Sequence, residues 1–408
     1  MPLTRSLLAA AFGAALPLCA QFISADTYTR YELLAPSSHQ FRIIYEVTET
    51  APLAKFHFNQ IRPGSEASDE AVYDAATGQP LKFEVVTGTQ AKKDAPDQNL
   101  IADAHYIEVH LAHPVPAQGE YRLRIEKTYM DPKSYYAEGS QDIVFMRPLG
   151  IPRDSVVLPA GYELVQTSMA AQVLAEPDGR LRLGFMNPGS GGQLEVKIIA
   201  RPLPSSKASA AKMPRERAYQ DREILYELLD PSTSAFRITH DYTESRPGRA
   251  HYINIVRTGS HVSDPASIDL DSGQPLKFEV MTAKEGKARK IPVFENPVDA
   301  DDNSEIVVTF LDKPVAPGTS VRLRLMETYT DPKSYFMDGD ELVWTRTFGR
   351  PRNTVVLPKG WTITAMDTPA IVRTLPDGRV SVYTVNPRND EVKVWFRARK
   401  RAIQEAKP

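Results

Sequence analysis

The chain has 408 residues, too many for one ordinary core, and 42% of them are apolar, so two or more domains are expected. A formal net charge of -2 supplies no basic face for phosphate, which argues against nucleic acid as a partner. Long runs of alternating apolar residues argue against a disordered chain.

The first residues read as an export leader over residues 1–25. Arg5 supplies the positive start, Leu7 to Leu18 is apolar and uncharged, and small residues follow at Ala20 and Ala25. The apolar run is shorter than the ~20 residues a membrane span needs, and cleavage after Ala20 or Ala25 fits the small-residue rule. Cys19 raises a rival reading, a lipoprotein, but that pattern wants a small residue before the cysteine and here it is Leu18. Cys19 is the single cysteine. A chain cut beyond it has no disulfide, no thiol nucleophile and no cysteine-bound zinc. No later segment is apolar enough to span a bilayer, so a secreted or periplasmic location is expected.

Beyond the leader the sequence repeats itself. Tyr31-Glu-Leu-Leu34 returns as Tyr226-Glu-Leu-Leu229, and Gly78-Gln-Pro-Leu-Lys-Phe-Glu-Val85 as Gly273 to Val280. Tyr129-Met-Asp-Pro-Lys-Ser-Tyr135 returns as Tyr329-Thr-Asp-Pro-Lys-Ser-Tyr335, Val156 to Pro159 as Val355 to Pro358, and Pro177 to Arg180 as Pro376 to Arg379. Five collinear matches at offsets of 195 to 200 residues indicate a tandem duplication of a module of about 175 residues. The divisions read as 26–201 for the first copy, 202–222 for a linker, 223–401 for the second copy and 402–408 for a polar tail. The stretch Pro202 to Arg222 is rich in Pro, Ser, Ala, Lys and Arg without an apolar period, which reads as an exposed linker.

Within each copy the apolar period is two. Phe41 to Val47, Ile107 to Leu111, Tyr121 to Ile125, Arg180 to Phe185 and Leu194 to Ile198 read as strands. Ile306 to Leu311, Val321 to Leu325 and Val392 to Phe396 do the same in the second copy. Such alternation puts one face on a core and the other in water. Turns are marked at Ala75 to Pro80, Pro177 to Gly179, Pro317-Gly318 and Asn386-Pro387, and hardly any stretch keeps a helical period for three turns. The fold class is all-β: two tandem copies of a β-sandwich-like module of about eight to ten strands, joined by a linker.

The order of these features resembles the N-terminal β-domain of gluzincin-type zinc aminopeptidases. The resemblance rests on Pro116-Ala-Gln-Gly-Glu120 and Pro317-Gly318, on Leu158-Pro-Ala-Gly-Tyr162 with Asp178-Gly179, and on Leu357-Pro-Lys-Gly-Trp361 with Asp377-Gly378. It implies a scaffold and no chemistry. In that family the zinc site, His-Glu-x-x-His, lies in a following helical domain, and in this chain no His is followed by Glu.

A search for chemistry finds little. Of the histidines, His105, His110 and His113 are clustered. On a strand, however, His105 and His113 would share a face about 27 Å apart with His110 opposite, so solvated strand histidines are favoured over a metal site. Asp299 to Glu305 has alternate carboxylates, but Ser304 and Phe310 stand where a calcium loop needs Gly and Glu, so a solvated acidic loop is favoured. There is no Gly-x-Ser-x-Gly elbow and no phosphate-binding glycine loop. No metal and no cofactor is expected.

One motif offers a ligand-binding reading. It comprises Tyr129, Asp131, Lys133, Tyr135, Arg147 and Arg153 in the first copy. Tyr329, Asp331, Lys333, Tyr335, Arg346 and Arg352 are their counterparts. As a rim, its aromatics give flat contact area and its cations donate to carboxylates or sugar hydroxyls. As a wide turn, Asp before Pro opens it, the tyrosines pack with hydroxyls outward, and the arginines pair with Asp131, Glu138 or their equivalents; this second reading is favoured. Trp395 falls on the polar face of its strand with Lys393 and Arg397, marking contact with a partner or with the other module. Trp344 and Trp361 read as core.

The function expected is a non-catalytic binding protein of the cell envelope, taking protein, peptide or glycan, with two similar surfaces on a flexible tether giving avidity. The alternatives are a hydrolase whose acid pair carries no sequence mark, and an architectural subunit of an envelope assembly.

Overall fold

Alternation builds strands first. Tyr121–Met130 buries Tyr121, Leu123 and Ile125 and turns the residues between them away from that core, and Val321–Thr330 repeats the pattern. The computed structural model describes residues 25–139, 141–187, 194–203, 213–219, 221–292 and 301–401. Residues 1–24, which hold Cys19 and all but the last residue of the expected leader, the tail 402–408 and much of the expected linker lie outside them. Among the described residues there are 29 strands and two short α-helices, Gly88–Asp94 and Ala283–Ala288. Each helix opens with a capping box, Thr87 with Gln90 and Thr282 with Glu285, which satisfies amide groups that a helix start leaves without partners.

The two halves share one strand order. In the first, a seven-stranded sheet runs Gln172–Ala175, Leu181–Met186, Arg153–Val157, Thr27–Leu33, Gln40–Glu49, Tyr121–Met130, Glu66–Asp74. A four-stranded sheet (Tyr162–Thr167, Leu194–Pro202, Asp142–Leu149, Tyr135–Glu138) and a three-stranded one (Phe56–Gln60, His105–His110, Phe83–Thr87) complete the module. The second half repeats all three sheets in the same order, with one added edge strand, Gln274–Pro275. In both large sheets one pair is parallel, Thr27–Leu33 with Arg153–Val157 and Glu223–Leu228 with Arg352–Val356. The modules hold 14 and 15 strands, more than expected. The extra ones are short: Gln172–Ala175 and Ile371–Thr374 have four residues each, too few to show a period.

The main cores lie under the large and four-stranded sheets. Tyr31, Phe41, Phe145, Leu158 and Phe185 fill the first. Tyr226, Phe236, Trp344, Leu357 and Phe396 fill the second, which also takes Trp361. Each such side chain contributes roughly 2 kcal/mol by leaving water.

The flexible tether is not what the structure shows. The modules pack against each other in a pseudo-twofold manner, each offering the other a turn. The Glu120 amide donates to the Leu270 carbonyl at 2.8 Å, and the Ser320 amide to the Ala76 carbonyl at 2.9 Å. A Cβ at Gly119 would sit 2.3 Å from the Leu270 oxygen, so only glycine lets these turns meet. The linker is not simply exposed either. Glu216, Arg217 and Ala218 are buried. The Arg217 guanidinium donates to the carbonyls of Asn386 and Gly349, so a stretch polar in sequence is used as a wedge.

Candidate functional site

The Asp-Pro turn follows the strand Tyr121–Met130 and closes on itself. Asp131 accepts from the amides of Lys133 (3.2 Å) and Ser134 (3.1 Å), from Ser134 Oγ (2.7 Å) and from Arg147 Nη1 (3.2 Å). Asp331 accepts the matching bonds from Lys333, Ser334 and Arg346, the last at 2.9 Å. Against the penalty of burial, the Ser134 hydrogen bonds and the Arg147 charge hold the Asp131 carboxyl below its usual range. The Arg147 guanidinium lies over Phe41 at 5.3 Å and Tyr129 at 5.6 Å, and Arg346 over Phe236 at 5.2 Å and Tyr329 at 5.7 Å.

Ten of the twelve motif residues are therefore interior: Tyr129, Asp131, Tyr135, Arg147 and Arg153, with Tyr329, Asp331, Tyr335, Arg346 and Arg352. Only Lys133 and Lys333 are exposed. The motif does not form an open aromatic rim. The hydroxyls also point inward rather than outward, because each finds a backbone or amide partner there. Tyr135 and Tyr335 donate to the carbonyls of Leu34 and Leu229, while the Tyr129 hydroxyl accepts from the Arg62 amide and the Tyr329 hydroxyl from Asn254.

Arg147 and Arg346 pair with the turn aspartates as the wide-turn reading expects. Arg153 and Arg352 do not. Both reach Asp26 between the modules, Arg153 by two bonds of 3.1 and 2.8 Å and Arg352 by one of 2.9 Å. Arg322 stands 4.0 Å from the same carboxylate, 3.2 Å from Glu120 and against Asp221. Arg122 holds Asp271 with two bonds of 2.7 Å. Burial opposes ionisation of Asp26, but Arg153, Arg352 and Arg322 outweigh it and hold its carboxyl at about 2. Burial pushes Glu120 the other way, up to about 7, despite the pull of Arg322. Asp26, Glu120, Arg122, Asp271 and Arg322 were not singled out as site residues, because Arg122 and Arg322 sit on polar strand faces, Glu120 and Asp271 at turns, and Asp26 just before the first strand. The available signal was that Arg122 and Arg322 hold matching places in the two copies.

Above this network a cleft of about 610 Å³ opens between the modules. The first lines it with Glu46, Tyr73 and Arg124, the second with Tyr242 and Glu244, and Arg215, Tyr219 and Arg222 of the connecting stretch complete it. Arg124 lies over Tyr73 at 4.7 Å and Arg222 over Tyr242 at 4.4 Å. The surface thus alternates flat rings and guanidinium groups with carboxylates, the chemistry suited to polar ligands bearing carboxylates or hydroxyls.

The remaining expectations separate cleanly. Trp344 and Trp361 are core. Trp395 keeps the polar face of Val392–Lys400, opposite Thr345 and half-buried beneath Arg397. His105 and His110 bound one strand and His113 lies beyond it. Among the described residues no three His, Cys, Asp or Glu come together as metal ligands. Asp299 and Ala300 fall outside the described residues. Asp301 accepts from Asn303 and Ser304 within its own loop, and Asp302 pairs with Lys287. No helix among the described residues is long and apolar enough to cross a membrane.

No family model matches the chain, and no curated protein matches it. Among solved structures it is similar to an M1 zinc metallopeptidase from Deinococcus radiodurans, with 13% identity over 43% of this chain and 41% of that one, and a TM-score of 0.27. It is similar to an aminopeptidase N family protein from Idiomarina loihiensis, with 10% identity over 43% of this chain and 29% of that one, and a TM-score of 0.26. The similarity is to the N-terminal domain of the M1 enzymes, the family that the turn motifs resemble. The chain spans 41% of the length of the first of them. A serine-rich repeat adhesion glycoprotein from Streptococcus agalactiae matches 79% of this chain over 90% of its own length, at 9% identity and a TM-score of 0.16.

Proposed function

We propose that this chain is a non-catalytic binding protein of the cell envelope, exported behind the leader at residues 1–25, whose two modules act as one body. Its partner is a protein, peptide or glycan held in the cleft between the modules. One observation carries the reading: residues of both modules and of the connecting stretch line a single cleft, in which Arg124 and Arg222 flank rings. Engagement by one shared cleft replaces avidity between two tethered surfaces as the use of the repeat. The locked turns and buried ion pairs preorganise that cleft, which lowers the ordering cost of binding.

The test uses the full chain on arrays of envelope glycans and of peptides. Binding that falls about tenfold in Arg124→Ala and in Arg222→Ala, with unchanged melting temperature, supports the cleft. Binding untouched by both substitutions removes it. Turnover of a peptide or glycoside, abolished by substituting one cleft carboxylate such as Glu46→Gln, makes the protein a hydrolase instead.

A further inference from the structure

The second module holds a cavity that the first does not match chemically. It measures about 450 Å³ and lies where the face of the large sheet meets the strand His251–Ile255 and the end of Glu341–Phe348. Ile224, Tyr226, Ile238 and Leu325 form apolar walls. Ile238 is opposite Glu327, and His240 is opposite Leu325 and Ile224, so His240 and Glu327 are diagonal neighbours on one sheet face.

Both side chains are buried, each 5% exposed, and both line the cavity. Glu327 Oε2 accepts from Asn254 Nδ2 at 2.6 Å, and His240 Nδ1 lies 3.3 Å from the Tyr252 hydroxyl. The Tyr329 hydroxyl also supports the Glu327 carboxylate, while Glu327 Oε1 and His240 Nε2 have no hydrogen-bond partner among the described residues. Buried polar atoms are almost always satisfied, so two such atoms in one wall mark a place for another molecule. Burial pushes the Glu327 carboxyl up to about 6 and holds the His240 imidazole well below its usual range, so at neutral pH the imidazole is uncharged.

Three cations, Arg257, Arg346 and Arg350, also line the cavity, with one further carboxylate, Glu391. Arg346 is committed to Asp331, and Arg257 gives one bond to the Thr347 carbonyl. Arg350 has no ion pair among the described residues. In the first module Tyr45 stands for His240, Lys127 for Glu327 and Ile151 for Arg350, by strand register and by the Gly-x-Pro-Arg match. There Lys127 donates to Asn59, the counterpart of Asn254, so the same amide is turned round to serve a cation.

We infer that this cavity is a binding site for a small carboxylate that also carries hydroxyl or ammonium donors, a sugar acid or an amino acid. The carboxylate meets Arg350 and Arg257, and the donors meet Glu327 Oε1 and His240 Nε2. The site is separate from the cleft between the modules and stands whether or not the cleft binds anything.

The experiment is calorimetric titration of the full chain with four probes: glucuronate, glutamate, acetate and glucose. Glucuronate or glutamate should bind at least about tenfold more tightly than acetate, which lacks the donors, and glucose, which lacks the charge. Which of the two binds tells whether the donor is hydroxyl or ammonium. Arg350→Ala, at a half-exposed position, and Glu327→Gln should each weaken that ligand by about tenfold, while Lys127→Met in the first module leaves it unchanged. A chain that binds none of the four at millimolar concentration holds only water in the cavity, and the inference fails. It fails equally if binding survives both Arg350→Ala and Glu327→Gln. Unchanged circular dichroism of Arg350→Ala keeps misfolding from standing in for either result.

Discussion

The two modules share a frame and differ at its centre. The same fourteen strands recur in the same order, and the Asp131 and Asp331 turns are near copies down to their hydrogen bonds. At one register position, however, the first module buries Lys127 and the second buries Glu327, and beside them Tyr45 of the first stands where the second has His240. Burial acts oppositely on the two charges. It draws the Lys127 ammonium down to about 7 and lifts the Glu327 carboxyl to about 6. The lesson is that positions which hold the frame were kept in pairs, whereas a buried titratable position, supported by the same amide neighbour, could change sign in one copy.

The strongest test of the common frame removes the turn arginine. Arg147→Met or Arg346→Met leaves a buried aspartate without its cation, and each should cost about 3–5 kcal/mol in denaturant unfolding. Equal losses confirm that the turns are structural in both copies. A loss below about 1 kcal/mol in either would separate them.

Next comes the contact between modules. Asp26→Asn should destabilise by about 3 kcal/mol, since it leaves Arg153 and Arg352 without their shared carboxylate. The sign with pH follows from a folded value of about 2 against the ordinary 3.8. This stabilisation is complete above pH about 4 and is lost as pH falls through about 2. Small-angle scattering should show the modules separating in that window, and earlier in Asp26→Asn; modules that stay together throughout would show that other contacts suffice.

The central difference gives opposite pH slopes. Lys127 titrates at about 7 folded against 10.5 ordinarily, so the first module should gain stability as pH rises from about 7 toward 10.5. Glu327 titrates at about 6 against 4.5, so the second should lose stability as pH rises from about 4.5 to 6. Each slope is at most about 1.4 kcal/mol per pH unit within its window. Urea unfolding of Lys127→Met should flatten the first slope and that of Glu327→Gln the second. Slopes that persist in both variants would assign them to other groups.

The smallest effect concerns the exposed turn lysines. Lys133→Ala and Lys333→Ala should each change stability by less than about 0.5 kcal/mol. A larger thermal shift in one copy would reveal a contact that its twin lacks.

Much of this frame was legible in one dimension. A period of two names strands wherever it runs long enough, as at Tyr121–Met130, and repeated turn residues such as Asp178-Gly179 and Asp377-Gly378 keep the two copies in register. Trp344 and Trp361 declared themselves as core through their counterparts Phe145 and Tyr162. What alternation cannot tell is which neighbour a polar face will meet. Arg122 and Arg322 read as water-facing, yet their side chains are 11% and 3% exposed because the sister module covers them. Nor could spacing along the chain bring together Asp26, Arg153, Arg322 and Arg352, or gather His240, Glu327 and Arg350 round one cavity. Periodicity is a local property of a strand, fixed by the pleat. Charge pairing between modules and the wall of a cavity depend on distances across hundreds of residues, and only the folded arrangement decides those.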